Sequence, residues 1–479
     1  MQFRLFAPVK KGDLINSLKL ESMASEGKCV SRLDGRVVFV TGGAPGDVVT
    51  VRVTKIKSSF LEAVVENVEQ PSDDRVDPFC RHFGLCGGCS WQHIRYDVQL
   101  RYKQQQVIDH LERIGGLELH GVRPILGSGQ TQGYRNRLDF TCTASRWMTR
   151  EELDLGAVMG QPGIGFHIPR MYDRVFDLEH CHLMPEPVNA IRNRMREVAI
   201  QAGITFFDLR RQVGWLRTIT VRQTSAGDIM LIVQVAYDEP EWLETILVPV
   251  RQEFPQVTSI QYIINGKRND TFHDQDIVVW HGSPFITEEM PRPVGDGILR
   301  FRIGPKSFYQ TNSRQASVLY RATWELAGLT GRELVYDLYT GTGTIANYIA
   351  REAKRVVGIE YVDAAVVDAR INSDLNGNSN TEFHAGDMKD LLREDFLAVH
   401  GRPDVVITDP PRAGMHEDVV DMILKAAPER VVYVSCNAAT QARDIRLMAE
   451  RYMVSAVQPV DMFPQTMHVE NIVRLDRRS

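Results

Sequence analysis

Cys436 closes an apolar run, Val432-Tyr433-Val434-Ser435-Cys436-Asn437, and Asp409 closes a similar one, Val405-Val406-Ile407-Thr408-Asp409-Pro410-Pro411-Arg412. Two neighbouring strands whose C-terminal ends carry a thiol and an acid form the usual setting of an α/β active site. A helix starting near Asn437 would hold the thiol at its N-terminus and lower its pKa, which suits a nucleophile. Further on, Asp461-Met462-Phe463-Pro464-Gln465-Thr466-Met467-His468-Val469-Glu470 ends in a carboxylate flanked by apolar residues. Desolvation there raises the pKa toward that of a general base. Glu470 is therefore the candidate base and His468 its competitor. An inert buried thiol is the ordinary alternative for Cys436, and the neighbouring acid and a nearby glycine turn weigh against it.

That turn is Thr340-Gly341-Thr342-Gly343-Thr344, after the apolar stretch Glu333-Leu334-Val335-Tyr336-Asp337-Leu338-Tyr339. Gly341 and Gly343 let the backbone turn tightly and approach a ligand, although a plain structural turn shares the pattern. Glu360 ends the next expected strand, 356–360, at the spacing of an acid that takes ribose hydroxyls. Asp387, near the end of a third strand, is placed to face an adenine amino group. A dinucleotide fold favours a third glycine at position 346, which here is Ala346. Asp-Pro-Pro after the fourth strand is more typical of S-adenosylmethionine enzymes acting on planar nitrogenous substrates, so methyl transfer is the expected reaction. Transfer to nitrogen or oxygen needs no thiol. Transfer to C5 of a pyrimidine does: thiolate addition at C6 makes C5 nucleophilic, and a base must then remove the C5 proton.

A second constellation is Cys80-Arg81-His82-Phe83-Gly84-Leu85-Cys86-Gly87-Gly88-Cys89, three cysteines within ten residues joined by glycines. Such a loop can wrap one small metal centre, and Cys181 in Glu179-His180-Cys181-His182 is the leading fourth ligand. Four thiolates suit zinc or an iron–sulfur cluster, and His82, His93, His180 and His182 keep a mixed zinc site open. Cys29 and Cys142 stand alone and are expected to be structural thiols.

These residues need elements to hold them. At 479 residues the chain can form two or three domains, each with its own core. Residues 1–70 read as short strands (36–40, 47–53, 61–65) and predict a small barrel of the oligonucleotide-binding kind. Pro71-Ser72-Asp73-Asp74 is a linker. Residues 75–295 are expected to form a mixed α+β domain carrying the cysteine loop, with a helix over 95–115 that packs on the catalytic domain. Residues 145–162 read as an exposed, charged, methionine-rich loop. Over 296–479 the chain becomes an α/β domain, its alternation of strand and helix from about 330 predicting a doubly wound, Rossmann-like sheet. A net charge of −5 argues against indiscriminate polyanion binding. It leaves room for a local basic face, and Lys10, Lys11, Arg32, Arg36, Lys55 and Lys57 concentrate positive charge early in the chain. No apolar stretch approaches a membrane span, the N-terminal residues lack signal-peptide features, and an odd number of cysteines suits a reducing compartment. A cytoplasmic protein is expected.

Assembled, these residues resemble the RNA uracil-C5 methyltransferase family, which includes bacterial 23S ribosomal RNA enzymes. The resemblance spans nearly the whole chain. Gly27-Lys28-Cys29-Val30-Ser31-Arg32-Leu33-Asp34-Gly35-Arg36 through Pro45-Gly46-Asp47 is similar to a TRAM domain, an RNA-binding barrel. Cys80, Cys86 and Cys89, followed by Gln92-His93, match the family's cluster motif. With Cys181 as fourth ligand, that implies a 4Fe–4S cluster. Ser307-Phe308-Tyr309-Gln310-Thr311-Asn312 matches a segment whose glutamine contacts the methyl donor. Asp337, Tyr339, Gly341, Glu360, Asp387 and Asp409 fall in the remaining positions of a class I S-adenosyl-L-methionine site. Ser435-Cys436-Asn437 matches the nucleophile motif and His468-Val469-Glu470 the base motif. Departures are Thr340 for a common cysteine, Tyr309 for phenylalanine, and 145–162 as an insertion.

The resemblance implies a structured RNA partner, with 23S ribosomal RNA expected and transfer RNA the alternative. No membrane and no obligate protein partner are implied. A uridine would be flipped into the cleft, with Phe308 or Tyr309 stacking on it and Arg135 of Tyr134-Arg135-Asn136-Arg137 touching the base or a phosphate. Ordinary core and surface roles for these residues carry equal weight. The cysteine loop lies far in sequence from Cys436, so a structural or RNA-docking role is expected of the cluster. Competing readings are a methyltransferase for another position or for DNA, and a non-catalytic iron–sulfur RNA-binding protein or redox sensor.

Overall fold

The computed structural model describes residues 9–169 and 171–478. The N-terminal segment read as lacking a signal peptide lies, up to residue 8, outside them. The chain divides into two compact units: Met1–Gln106 with Phe463–His468, and Val107–Met462 with Val469–Ser479.

The first unit is built on β1 (Leu14–Lys19), β2 (Ser22–Met23), β3 (Cys29–Leu33), β4 (Arg36–Thr41), β5 (Val48–Ile56) and β6 (Phe60–Gln70). They form one sheet in the order β1-β5-β6-β4-β3-β2. β1 and β2 occupy its two edges, yet only Leu20 and Glu21 separate them in the chain. The sheet must therefore curl until its edges meet, as a small barrel does. Alternation along the strands points Val38 and Val40, Val49 and Val51 inward, where they join Leu18, Leu20, Cys29, Leu61 and Ala63. Register shifts between β5 and β6 supply the bends. Asp47 locks the turn before β5: its buried carboxylate accepts from the N–H of Ala44 (2.6 Å) and of Ser72 (2.9 Å). Arg75 Nε donates to both of its oxygens (2.8 and 2.9 Å). Helix α1 (Tyr96–Arg113) begins in this unit, and its residues from Val107 onward count with the second.

In the second unit β7 (Arg137–Thr143) is followed by the short helix α2 (Arg150–Asp154), β8 (Gly163–His167), β9 (Val175–Asp177) and α3 (Val188–Gln201). Next come β10 (Leu216–Gln223), β11 (Ile229–Val235), α4 (Pro240–Glu253), β12 (Val257–Ile264) and β13 (Val278–Gly282). Their strands make a seven-stranded sheet, β13-β12-β11-β10-β7-β8-β9. The 145–162 segment was expected to be a loop but contains α2. Thr149 Oγ1 accepts from Glu152 N (3.1 Å) while Glu152 Oε2 accepts from Thr149 N (2.8 Å). This reciprocal capping box stabilises a helix otherwise too short to persist.

A hairpin, β14 (Ile286–Pro291) and β15 (Ile298–Ile303), leads through α5 (Ser313–Ala327) into the second sheet of this unit. There β16 (Leu334–Leu338), α6 (Thr344–Ile349), β17 (Arg355–Glu360), α7 (Asp363–Leu375) and β18 (Thr381–Ala385) alternate. Two short helices, α8 (Met388–Leu391) and α9 (Glu394–His400), precede β19 (Val405–Thr408). Then follow α10 (Glu417–Ala426), β20 (Arg430–Ser435), α11 (Ala438–Met448), β21 (Tyr452–Val460) and β22 (Glu470–Arg477). Strand order is β18-β17-β16-β19-β20-β22-β21, parallel from β18 to β20, with β22 antiparallel to both its neighbours. The predicted doubly wound sheet is thus present. Its connections reverse direction between β16 and β19, the switch point where such sheets bind ligands. The parallel strands read as continuous apolar runs because both faces are covered: Tyr336, Leu338, Val357, Ile359, Val406, Val431 and Tyr433 share one core. Among the described residues no helix is long and apolar enough to cross a membrane.

Removing the Asp47 carboxylate leaves Arg75 without its counter-ion and two backbone N–H groups without an acceptor. Asp47→Ala should destabilise the protein by about 3 kcal/mol or more, read as a lower midpoint in denaturant unfolding.

Candidate active site

The turn after β16 sits at the switch point. Tyr339, Gly341 and Gly343 all take positive φ (63°, 56° and 73°), a conformation that glycine accepts freely and tyrosine does not. Gly343 is also the close approach: a Cβ there would lie 2.9 Å from the Ala369 methyl. Inside the turn, Asp337 Oδ2 accepts from Thr340 Oγ1 (2.5 Å) and from the Ala346 N–H (3.0 Å), while its Oδ1 is buried with no protein partner. Burial is the main force that pushes this carboxyl up to about 7. Across the mouth, Glu360 receives Gly341 N–H on one oxygen and Val362 N–H on the other, each at 3.0 Å. Asp387 caps α8 by accepting from Lys389 N–H at 3.2 Å. Tyr339 lies in the field of Asp387 and Glu360.

Cys436 lies between β20 and α11, and Glu470 opens β22. The antiparallel register of β20 and β22 pairs Val434 with Ile472 and Ser435 with Asn471. Cys436 and Glu470 are the residues next to that last pair, and the Glu470 charge acts on the Cys436 thiol. A buried brace holds this register: Gln441 Nε2 donates to the carbonyls of Tyr433 (2.8 Å) and Asn471 (3.2 Å), and Asn471 Nδ2 donates to Gln441 Oε1 (2.7 Å). Burial, then the Asp409 charge, push Glu470 up to about 8, with Arg412 opposing. That matches its expected character. Asp409 is itself pushed up to about 7, by burial and then by Asp337.

The thiol departs from expectation. Burial first, then Glu470 and Asp409, push Cys436 up to about 11, against the pull of the Arg412 guanidinium that donates to it. Two of the N–H groups at the start of α11 are taken locally: Asn437 Oδ1 accepts from Ala439 N and Ser435 Oγ from Asn437 N, each at 3.1 Å. Arg412, to which the sequence assigned no role, is the cation beside the thiol. Its carbonyl is held by Asn437 Nδ2 (3.1 Å) and Thr440 Oγ1 (3.2 Å), so its backbone is tied to the start of α11. Its position directly after Asp-Pro-Pro was the available signal.

The segment carrying Gln310 is stitched to β7. Asn136 Nδ2 donates to the Gln310 carbonyl (2.8 Å) and Ser313 Oγ (2.7 Å), and Asn136 N–H donates to the Thr311 carbonyl (2.8 Å). Gln310 and Tyr309 are buried, whereas Phe308 is 69% exposed and so free to meet a partner. Arg135 is half-buried one residue before Asn136, its Nε 3.4 Å from the Arg137 carbonyl. His468 falls in the first unit, whereas Cys436, Glu470, Asp409 and Arg412 all fall in the second.

No disulfide joins any of the seven cysteines among the described residues. Cys80, Cys86 and Cys89 share one loop of the first unit, half-buried. Burial raises the Cys86 thiol, a Gly88 N–H donates to it, and the Cys80 sulfur is close enough to raise it further. Converging soft donors of this kind fit a thiolate-bound centre. Cys181 is buried in the second unit, where Asn189 Oδ1 accepts from its N–H (2.7 Å). Cys29 and Cys142 are buried, as expected of structural thiols.

Residues 272–478 match the family described as tRNA (Uracil-5-)-methyltransferase, and residues 16–65 match the TRAM domain. An uncharacterised RNA methyltransferase of Porphyromonas gingivalis is 53% identical over 470 residues, covering 96% of this chain and 100% of its own. One from Chlorobaculum tepidum is 39% identical over 478 residues, covering 98% and 97%. Among solved structures, the Pyrococcus abyssi tRNA (uracil-54, C5)-methyltransferase in complex with S-adenosyl-L-homocysteine superposes with a TM-score of 0.73 at 27% identity. That match covers 96% of this chain and 100% of the archaeal one.

The charges around Cys436 make its reactivity a direct probe of the site. Above about pH 8, where Glu470 is ionised, Glu470→Gln removes a neighbouring anion, so iodoacetamide labelling of Cys436 accelerates relative to the wild type, and the difference shrinks as pH falls to 7. Arg412→Ala should slow the same labelling, followed by peptide mass mapping.

Proposed function

Because the chain belongs to the family of S-adenosylmethionine-dependent RNA (uracil-5-)-methyltransferases, we propose that it methylates C5 of a flipped-out uridine through a covalent bond from Cys436 to C6. Glu470 is the base in this scheme. The observation that carries it is that β22 begins where β20 ends, Ser435 paired with Asn471, with the Cys436 thiol in the field of the Glu470 carboxylate. The Cys436 sulfur adds to C6, and the C5=C6 electron pair moves toward the C4 carbonyl. C5 then takes the methyl group, Glu470 removes the C5 proton, and the S–C6 bond breaks as the double bond re-forms. Arg412 stabilises the thiolate before attack, offsetting the acids around it.

Bound S-adenosylmethionine supplies an electrophilic methyl group. The residues present fit it: a buried Asp337 oxygen lacks a protein partner, and Glu360 is fixed by two backbone N–H groups beside a turn with room at Gly341. Gln310, Asp337, Tyr339, Gly341, Glu360, Asp387 and Asp409 are assigned to hold it. Exposed Phe308 is assigned to stack on the uracil and Arg135 to contact the RNA.

The RNA is structured and cytoplasmic, with 23S ribosomal RNA the favoured substrate and the TRAM domain contributing to its binding. Transfer RNA is the second reading, favoured by the solved archaeal relative. Mapping 5-methyluridine in total RNA from cells with and without the gene decides between them: loss from 23S ribosomal RNA supports the first, loss from transfer RNA the second. Cys80, Cys86, Cys89 and Cys181 are assigned to a 4Fe–4S cluster. Iron and sulfide in anaerobically prepared protein support that assignment, and zinc without iron contradicts it.

Cys436→Ala should lower turnover by at least about a thousandfold. Glu470→Gln should instead accumulate an RNA–protein adduct stable on denaturing gels, and clean turnover by it would remove Glu470 from the base role. Glu470 must be ionised to act, so kcat/KM should rise with pH through about 8.

A further inference from the structure

β18 is the edge strand of the methyltransferase sheet. Its alternation buries Phe383 on one face and puts Glu382 and His384 together on the other. The last residue of α9, His400, comes over the same face. His384 Nε2 lies 2.7 Å and His400 Nδ1 3.0 Å from the same oxygen, Glu382 Oε1. The three side chains remain open to solvent, at 36%, 26% and 15% exposure for Glu382, His384 and His400. Nothing in the methyl-transfer chemistry uses them.

We propose that Glu382, His384 and His400 form a binding site for one divalent transition-metal ion of the zinc class. Two imidazoles and a carboxylate are a common ligand set for such ions, leaving a position for water. All three donor atoms lie within 4.8 Å of one another. A tetrahedral ion with bonds of about 2.1 Å sets its ligands about 3.4 Å apart, so small side-chain shifts complete the site. The rings are already oriented by packing. Phe396 lies 4.2 Å from the His400 ring and 5.1 Å from the His384 ring, and the two imidazoles meet edge-on at 4.5 Å. Phe396 in turn rests on Tyr336, whose hydroxyl donates to the Gly401 carbonyl at 2.7 Å.

Arg355 shows what the cation relieves. Its Nη2 holds the other Glu382 oxygen at 2.5 Å and lies 3.3 Å from His400 Nδ1. Nδ1 thus has two competing contacts: carrying a proton it donates to Glu382 Oε1, and without one its single lone pair faces the Arg355 guanidinium, which only donates. An ion bound at Nδ1 takes that lone pair in place of the Arg355 hydrogen. The guanidinium also repels that ion, so Arg355 holds the affinity below what the ligands alone would give.

The test uses the full-length protein with its cysteines intact, titrated with zinc and with cobalt(II). The wild type should take up one equivalent that Glu382→Gln and the His384→Ala/His400→Ala pair bind at least tenfold more weakly. The cobalt difference spectrum between wild type and variant should show ligand-field bands without a sulfur charge-transfer band, which separates this site from the cysteine loop. Arg355→Gln keeps every ligand and should bind the metal several-fold more tightly, a gain that misfolding cannot produce. Equal uptake by wild type and Glu382→Gln, a sulfur band in the difference spectrum, or weaker binding by Arg355→Gln would overturn the proposal.

Discussion

The antiparallel pairing of β22 with β20 is the constraint on which the chemistry depends. A parallel strand in that position would carry its own C-terminal end to the cleft and leave Glu470 at the far edge of the sheet. Because β22 runs the other way, it begins where β20 ends, and Glu470 comes into the field of the Cys436 thiol. A one-residue slip would turn Glu470 to the other face. The Gln441–Asn471 brace makes that slip costly, since it would leave buried amides and carbonyls without partners.

The electrostatics follow from the same geometry. Asp337, Asp409 and Glu470 are crowded with one thiol at the C-terminal end of a sheet, and each acid raises the proton affinity of another group. Arg412 is the cation that acts against this on both Cys436 and Glu470. A resting enzyme that holds its thiol protonated avoids stray alkylation and oxidation, because the thiolate is the reactive form. A positively charged methyl donor entering such a site meets acids already gathered for it. Its charge would also favour their ionised forms.

Much of this was legible in the residues. Strand ends marked by Asp409 and Cys436, the glycine turn at 341–343 and the apolar flanks of Glu470 are local patterns, and they located the sheet, the turn and the base candidate. The sign of the Cys436 shift was not legible, because it depends first on how deeply the fold buries the thiol and then on Glu470 and Asp409 being brought near it. Helix α2 was written in Thr149-Arg150-Glu151-Glu152 but hidden by its charged surroundings. The assignment of Phe463–His468 to the first unit, between two segments of the second, is a tertiary fact with no local signature. The Glu382–His384 pair shows only a strand alternation until α9 brings His400 over it.

The central claim is that one side chain attacks C6 and a different one, Glu470, removes the C5 proton. Single-turnover reactions on RNA carrying C5-tritiated uridine separate these events, because methyl incorporation reports the first and tritium release to solvent the second. The account predicts that Glu470→Gln incorporates methyl at a measurable rate while tritium stays on the RNA, and that Cys436→Ala does neither. Tritium release by Glu470→Gln that keeps pace with methyl incorporation would contradict it.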